Sequence, residues 1–177
     1  MRNKPFFIAE ISANHCGDFN LAKKLIKCAK KNGADAVKLQ TYTADTMTLK
    51  SKKKIFKIKS GLWKGYTLWD LYNKAHTPLN WHQKLFEYAK SLNITIFSSP
   101  FDETAVDLLE KLGCKAYKIA SPEITHIPLI TKVAKTGKPI IISTGLAKID
   151  DLTNAIRAVR KAGNNKIIIL KCTSAYP

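Results

Sequence analysis

With 177 residues, 45% of them hydrophobic and 24% charged, the chain is long enough to bury a core and is one domain or part of a larger one, not a disordered protein. No apolar run approaches the roughly 20 residues that a membrane span requires. Lys+Arg 30 against Asp+Glu 13, a net charge of +17, raises the question of nucleic acid. The lysines sit mostly at helix ends and in one loop, however, with no basic helix and no aromatic RNA-binding signature. The expected reading is a lysine-rich solvated surface and an anionic small-molecule substrate, with no nucleic-acid or membrane partner.

The chain opens with a basic start and a short apolar stretch, Met1 to Ile11. Glu10 and Asn14 interrupt it too early for a signal peptide, so it reads as mature sequence. Phe6 to Ile11 is the first predicted strand. Asn20 to Asn32 is the first predicted helix, with Leu21, Leu25, Ile26, Cys28 and Ala29 on its apolar face. From there a unit recurs five times, in AKKNGADAVKLQ, AKSLNITIFSS, EKLGCKAYKIAS, AKTGKPIIIST and RKAGNNKIIILKCT. Each is a basic helix end, then a breaker (Gly33, Asn93, Gly113, Gly137, Gly163), then a short β-rich apolar run. A left-handed residue just past a helix and cations in its last turn are what a helix C-terminus favours.

Between these strands the helices continue. Thr77-Pro78 reads as an N-cap followed by Pro at N1. Trp81, Leu85, Tyr88, Ala89 and Leu92 form the next apolar stripe. Leu108, Leu109 and Leu112, then Leu129, Ile130 and Val133, then Leu152, Ile156 and Val159 repeat the theme. Alternating strands and helices predict an α/β protein with a parallel sheet. Polar groups stand at the carboxyl end of every strand: Glu10; Lys38 and Gln40; Ser98 and Ser99; Lys118 and Ser121; Ser143 and Thr144; Thr173 and Ser174. A doubly wound sheet uses only the strands at its switch point, whereas a (β/α)8 TIM barrel uses all of them. The expected fold is therefore a (β/α)8 barrel, incomplete here, with its first six strands. A closed barrel needs eight strands, so the chain reads as a truncated or fragmentary one. One connection is abnormal: about 35 residues follow the second strand, where βα loops usually have 2–6. In this insertion, Tyr42 to Ala75, we expect a short strand over Ile55 to Ile58 and a helix around Leu68, Trp69, Leu71 and Tyr72. Its place on the mouth side and its tryptophans suggest a lid over the site.

Cys16, Cys28, Cys114 and Cys172 are scattered, with no CxxC pair and no zinc spacing; two fall in apolar patterns, as small packed hydrophobes. Reduced thiols and a cytoplasmic location follow. His15, His76, His82 and His126 show no metal-ligand spacing and read as helix or loop histidines. Lys38 and Lys118 interrupt apolar strands, and a buried ammonium needs a carboxylate, an anionic ligand or solvent. Glu10 and Glu123 are the carboxylates nearest strand ends. Lysines and hydroxyls at a barrel mouth suit a phosphate or carboxylate. On these residues alone, Lys118 could equally be a Schiff-base nucleophile of aldolase type, and a basic binding module without catalysis is a further alternative.

Six segments in order, IAEISANHCGD, GADAVKLQTY, FSSPFD, YKIASPEI, KPIIISTGLA and LKCTSAYP, resemble the motifs of sialic acid synthases over essentially the whole chain. Those enzymes condense phosphoenolpyruvate with an amino sugar. GLWKGYTLWDLYNKAHTPLNWH and the ASPE at Ala120 to Glu123 are similar to the pseudaminic acid branch, although Pro122 stands where that branch usually has Phe. The function implied is condensation of phosphoenolpyruvate with an open-chain 2,4-diacetamido-2,4,6-trideoxy hexose, giving pseudaminic acid and phosphate. N-acetylneuraminate or legionaminic acid synthesis is the alternative.

The resemblance implies catalytic roles for Glu10 and Glu123. It places Lys38, Ser99, Lys118, Ser121 and Ser143 at phosphoenolpyruvate, and Gln40 and Tyr176 on the sugar side. It also implies a homodimer, a divalent metal (Mn2+ or Mg2+) in the full-length enzyme, and a C-terminal antifreeze-like domain. The metal ligands, the last strands and that domain would lie beyond the present sequence, so residues 1–177 would be the N-terminal part of the barrel, inactive alone.

Overall fold

The computed structural model describes residues 4–173. The chain divides into two compact units at Ile96 and Phe97. Its strands are β1 (Ile8–Glu10), β2 (Ala36–Thr41), β3 (Thr95–Pro100), β4 (Tyr117–Ile119), β5 (Ile140–Ser143) and β6 (Ile167–Leu170). Their sheet order is β1-β2-β3-β4-β5-β6, and β1/β2, β3/β4, β4/β5 and β5/β6 pair in parallel. This is the expected α/β fold, with the consecutive order of a barrel and not the 3-2-1-4-5-6 order of a doubly wound sheet. The five breakers behave as the pattern requires. Gly33, Gly113, Gly137 and Gly163 have φ of 85°, 69°, 68° and 83°, and Asn93, the one non-glycine among them, has φ of 51°.

In the first unit, β2 (AVKLQT) is buried at every position except the half-buried Gln40. Helix α1 (Phe19–Lys31) starts where the Asp18 carboxylate accepts from the backbone N–H groups of Asn20 and Leu21, at 2.7 and 3.2 Å. Its buried face is Ala22 and Ile26; Cys28, expected on that face, is exposed. Two short helices follow, α2 (Ala44–Met47) and α3 (Leu68–Ala75). The strand expected over Ile55 to Ile58 is instead a 3-10 turn at Lys54–Phe56 and one antiparallel bridge, Lys57 to Thr67. The apolar residues there have only a single bridge to pair with among the described residues.

Aromatic residues of the insertion find partners within it. Tyr42 is buried edge-on to Tyr72, 5.9 Å between centroids. The Trp69 indole N–H donates to Asp45 at 2.8 Å, with the Lys50 ammonium 4.0 Å above its ring. Trp63 and Tyr66 meet at 5.4 Å with Lys74 over both.

Helix α4 (Leu79–Ser91) has Pro78 as its N-cap, one residue later than expected, because the buried Thr77 hydroxyl is engaged with His15. Its core face is His82, Leu85, Phe86 and Ala89, with Trp81 and Tyr88 only half-buried. The core stripe is thus rotated toward a histidine that is apolar in context.

In the second unit, α5 (Glu103–Lys111), α6 (Ile127–Ala134) and α7 (Ile149–Lys161) alternate with the strands. Tyr117, Ile119, Leu109, Leu129, Ile130, Val133, Ile140 and Ile142 have no exposed surface, and each buried aliphatic side chain contributes about 1.5–3 kcal/mol. At the start of β4, Glu110 accepts from the Tyr117 hydroxyl and from Lys138 Nζ (2.5 Å), tying α5 to β4 and to the chain entering β5. Beside it Cys114 is buried, its thiol pushed up to about 11, and packs as the sequence suggests. Strand β6 is its least buried strand, with Ile168, Ile169 and Leu170 exposed.

Candidate active site

In the first unit the parallel register sets Glu10 level with Lys38. Lys38 is 7% exposed in an otherwise apolar strand, and its ammonium pairs with Glu10 Oε2. Of the partners the sequence left open for this lysine, the structure assigns the carboxylate. Pairing offsets the cost of burying the charge. The other carboxylate oxygen, Oε1, accepts from the backbone N–H of Ser12 at 3.0 Å. Ser12 also donates its hydroxyl to Gln40 Oε1 at 3.2 Å. Glu10, Lys38 and Gln40 are therefore joined in one network through a residue that the sequence reading missed. Ser12 sits at the first central position of a turn closed by Asn14 N–H to Ile11 C=O, 3.0 Å, with φ of 45°. That backbone costs a non-glycine residue about 1–2 kcal/mol.

Two histidines behind this network are structural. His15 Nδ1 accepts from Gly17 N–H at 3.1 Å, so its Nε2–H donates to the Thr77 hydroxyl at 3.1 Å. His82 donates Nδ1–H to the Pro78 carbonyl at 3.1 Å and accepts at Nε2 from the Thr41 hydroxyl at 2.9 Å. Burial holds both imidazoles below the ordinary 6.5. They are satisfied neutral groups, in line with the reading of the histidines as non-ligands.

In the second unit Ser98 is level with Tyr117, so one residue further on Ser99 and Lys118 come level. Ser99 and Ser143 are buried, and Lys118 is half-buried opposite Ile141. Burial lowers the Lys118 pKa, while Cys172 and Glu123 act in the opposite direction. Glu123, on the 3-10 turn Ser121–Thr125, is the carboxylate near this second lysine. Burial raises its pKa, and its Oε2 is buried with no hydrogen-bond partner among the described residues. Ser121 Oγ accepts from Gly145 N–H at 3.1 Å, so its own proton is directed elsewhere. Tyr176 lies outside the described residues, as does Ser174.

The second unit thus gathers Lys118 with Glu123 and sets Ser99 level with Lys118. A cation, hydroxyls and a carboxyl group can bind an oxyanion and exchange a proton with it. Among the described residues no group of three His, Cys, Asp or Glu could hold a metal ion. His76 donates to the Asn73 carbonyl at 2.7 Å and His126 lies 3.8 Å from Glu103, both on the surface. The described side chains do not fit a metal. Among them no helix is long and apolar enough to cross a membrane.

Parallel strands in chain order, separated by helices and carrying ionisable groups and hydroxyls at their carboxyl ends, define a protein of the (β/α)8-barrel class. The chain belongs to the NeuB family, whose model matches residues 25–177. It is 52% identical over 177 residues to the pseudaminic acid synthase of Helicobacter pylori, an alignment spanning 100% of this chain and 52% of that protein. It is 41% identical to the N,N'-diacetyllegionaminic acid synthase of Campylobacter jejuni, over 98% of this chain and 53% of the relative. The crystal structure of N-acetylneuraminic acid synthetase from Leptospira borgpetersenii, in complex with citrate, superposes with a TM-score of 0.85 at 30% identity, covering 99% of this chain and 56% of that one. The chain spans about half the length of the curated relatives it matches.

Proposed function

We propose that residues 1–177 form the N-terminal barrel portion of a phosphoenolpyruvate-dependent nonulosonic acid synthase of the pseudaminic acid branch. The observation that carries this reading is the 52% identity to a pseudaminic acid synthase along the entire chain, against 41% to a legionaminic acid synthase. In the proposed reaction, C3 of phosphoenolpyruvate forms a bond to C1 of the open-chain 2,4-diacetamido-2,4,6-trideoxy hexose, and the aldehyde oxygen gains a proton. Water adds at C2 and loses a proton. The bond from C2 to the phosphate oxygen then breaks as the C2 hydroxyl becomes a carbonyl, its proton passes to the departing phosphate, and inorganic phosphate leaves.

Lys38, Ser99, Lys118, Ser121 and Ser143 bind the phosphate and carboxylate of phosphoenolpyruvate. Fixed cations and hydroxyls suit a reaction in which negative charge moves without disappearing. The citrate complex of the Leptospira relative, a polycarboxylate bound to the same fold, agrees with an oxyanion ligand. Glu123, whose pKa is raised by burial, takes the proton from the attacking water; Glu10 is paired with Lys38 near the reacting carbons. The divalent metal implied by the resemblance finds no fitting set among the described residues, and no step is routed through it. The free cysteines support a reducing, cytoplasmic setting, and homodimerisation rests on the family resemblance alone.

The test is calorimetric titration of phosphoenolpyruvate into the 177-residue chain. A charge-assisted hydrogen bond is worth about 1.5–3 kcal/mol, so Lys118→Ala weakens binding by about 10- to 150-fold. Borohydride with pyruvate should trap no adduct on Lys118. Trapping would establish the aldolase reading, which the lowered Lys118 pKa also suits. A hybrid that continues past Pro177 with the second half of the Helicobacter pylori enzyme should release phosphate only with both substrates present.

A further inference from the structure

We propose that Ser12 is a positioning residue for the sugar side of the site: its hydroxyl fixes the carboxamide of Gln40 and its N–H fixes Glu10. The inference rests on the proposed function for what is positioned, and on geometry for how. Three observations carry it. First, Ser12 occupies a left-handed turn position, φ 45°, where glycine would sit without strain. Fold alone therefore favours glycine, and what serine adds at this position is its hydroxyl. Second, that side chain has one resolved partner, Gln40 Oε1, 28 residues away on the neighbouring strand, at 3.2 Å. Accepting at Oε1 sets the flip of the amide, which directs the two Nε2–H donors away from Ser12. Third, the backbone N–H of the same residue holds Glu10 Oε1 at 3.0 Å while Lys38 holds Oε2. One strained residue thus orients two side chains assigned to the sugar and the reacting carbons. The network presents a fixed edge of amide donors and carboxylate suited to the hydroxyl and acetamido groups of a sugar.

The substitutions separate side chain from backbone. Ser12→Gly keeps the turn and the N–H to Glu10, relieves φ and removes only the hydroxyl. Ser12→Ala removes the hydroxyl and keeps the strain. A merely structural serine would be needed for stability. A positioning serine is dispensable for stability but needed for Gln40. In the 177-residue chain, thermal unfolding of Ser12→Gly should occur at or above the wild-type temperature. The 15N order parameter of the Gln40 side-chain amide should fall from the rigid range, about 0.85, to below about 0.6. Affinity for the 2,4-diacetamido-2,4,6-trideoxy hexose, titrated with phosphoenolpyruvate present, should fall three- to tenfold in both variants, the loss of one neutral hydrogen bond. Affinity for phosphoenolpyruvate should stay within twofold. Gln40→Ala should abolish the effect of Ser12→Gly on sugar affinity. An unchanged Gln40 order parameter overturns the positioning role, as does a Ser12→Gly chain markedly less stable than wild type. If the wild-type chain binds no sugar while the order parameter still falls, the positioning of Gln40 holds and the proposed substrate is what fails.

Discussion

Replacing Glu123 by Gln removes a charge and keeps the shape, and the variant should be the more stable protein at neutral pH. Oε2 of Glu123 is buried without a hydrogen-bond partner among the described residues, and burial is the leading cause that raises its pKa above the ordinary 4.5. Gln leaves a buried polar atom unpaired as well, so what the substitution relieves is the added cost of desolvating a charge. Opposing this is the attraction of Lys118, which ranks behind burial for both residues. The side chain as a whole is half-buried, so solvent screens part of both effects. The net is about 1 kcal/mol in favour of Gln, or about 2–4 °C for a chain of this size. The sign follows from linkage. The folded pKa is raised, so as pH rises past 4.5 the unfolded chain releases its proton first. Stability therefore falls until the folded pKa is passed, and the deficit persists above it. The amide variant lacks this slope. Urea titrations followed by far-UV circular dichroism, between about pH 4 and pH 8, should show two curves that meet at acid pH and separate as pH rises. A Gln variant less stable than wild type at pH 7, or a difference independent of pH, would refute the reasoning. The same variant in the completed hybrid should lose about 100- to 10,000-fold in turnover, the usual worth of a general base.

The remaining expectations are briefer. Because burial lowers the Lys118 pKa below the ordinary 10.5, phosphoenolpyruvate affinity should decline with rising pH earlier than an exposed lysine would allow, and Lys118→Arg should move that decline upward; calorimetry at graded pH reads both. His15 and His82 are buried and held below 6.5, so the unfolded chain protonates first as pH falls through 6.5 and stability is lost; melting temperatures measured from pH 7 to about pH 5 should fall, less steeply in His82→Gln. Exchanging residues 42–75 for the corresponding loop of a neuraminate-type relative should alter sugar preference in the hybrid enzyme and leave phosphoenolpyruvate affinity within about twofold, whereas unchanged preference counts against the lid.

Much of the fold is legible from punctuation alone. A glycine or asparagine after a basic helix end has few uses besides a left-handed cap, and all five such residues adopt that conformation. The strands after them follow, because a short β-branched run that must be buried has little alternative. What escaped reading depends on contacts. Thr77 looks like a cap, yet its hydroxyl is taken by His15, and the helix begins one residue later. His82 reads only as a helix or loop histidine, outside the expected apolar stripe, but two hydrogen bonds satisfy its ring and let it replace Trp81 in the core stripe. Ile55 to Ile58 is apolar enough to read as a strand, and only the lone bridge among the described residues, with the 3-10 turn beside it, reveals otherwise. At the site, a lysine inside an apolar strand announces itself and its need for a carboxylate, an anionic ligand or solvent, and among these Glu10 is the partner found for Lys38. Ser12 leaves no such mark, since neither its φ nor its partner 28 residues away is local information.

The distribution of strain along the chain argues that the carboxyl ends of the strands are where function is built. The bodies of the strands and the helix faces against them are aliphatic and closed: Val37, Leu39, Ile119, Ile140 and Ile142 have no exposure. Three features that cost stability lie at or just past a strand's carboxyl end: the left-handed Ser12 after β1, the half-buried Lys118 in the short strand β4, and the Glu123 oxygen after β4 that has no hydrogen-bond partner among the described residues. By contrast, Glu110, Tyr117 and Lys138 at the opposite end of β4 and β5 satisfy one another fully. If polar groups were placed only to hold the fold, both ends of the strands would show the second pattern. Groups left short of partners at the carboxyl ends are the ones that a ligand's phosphate, carboxylate and hydroxyls would complete, and the aliphatic bodies of the strands supply the stability that keeps them in place.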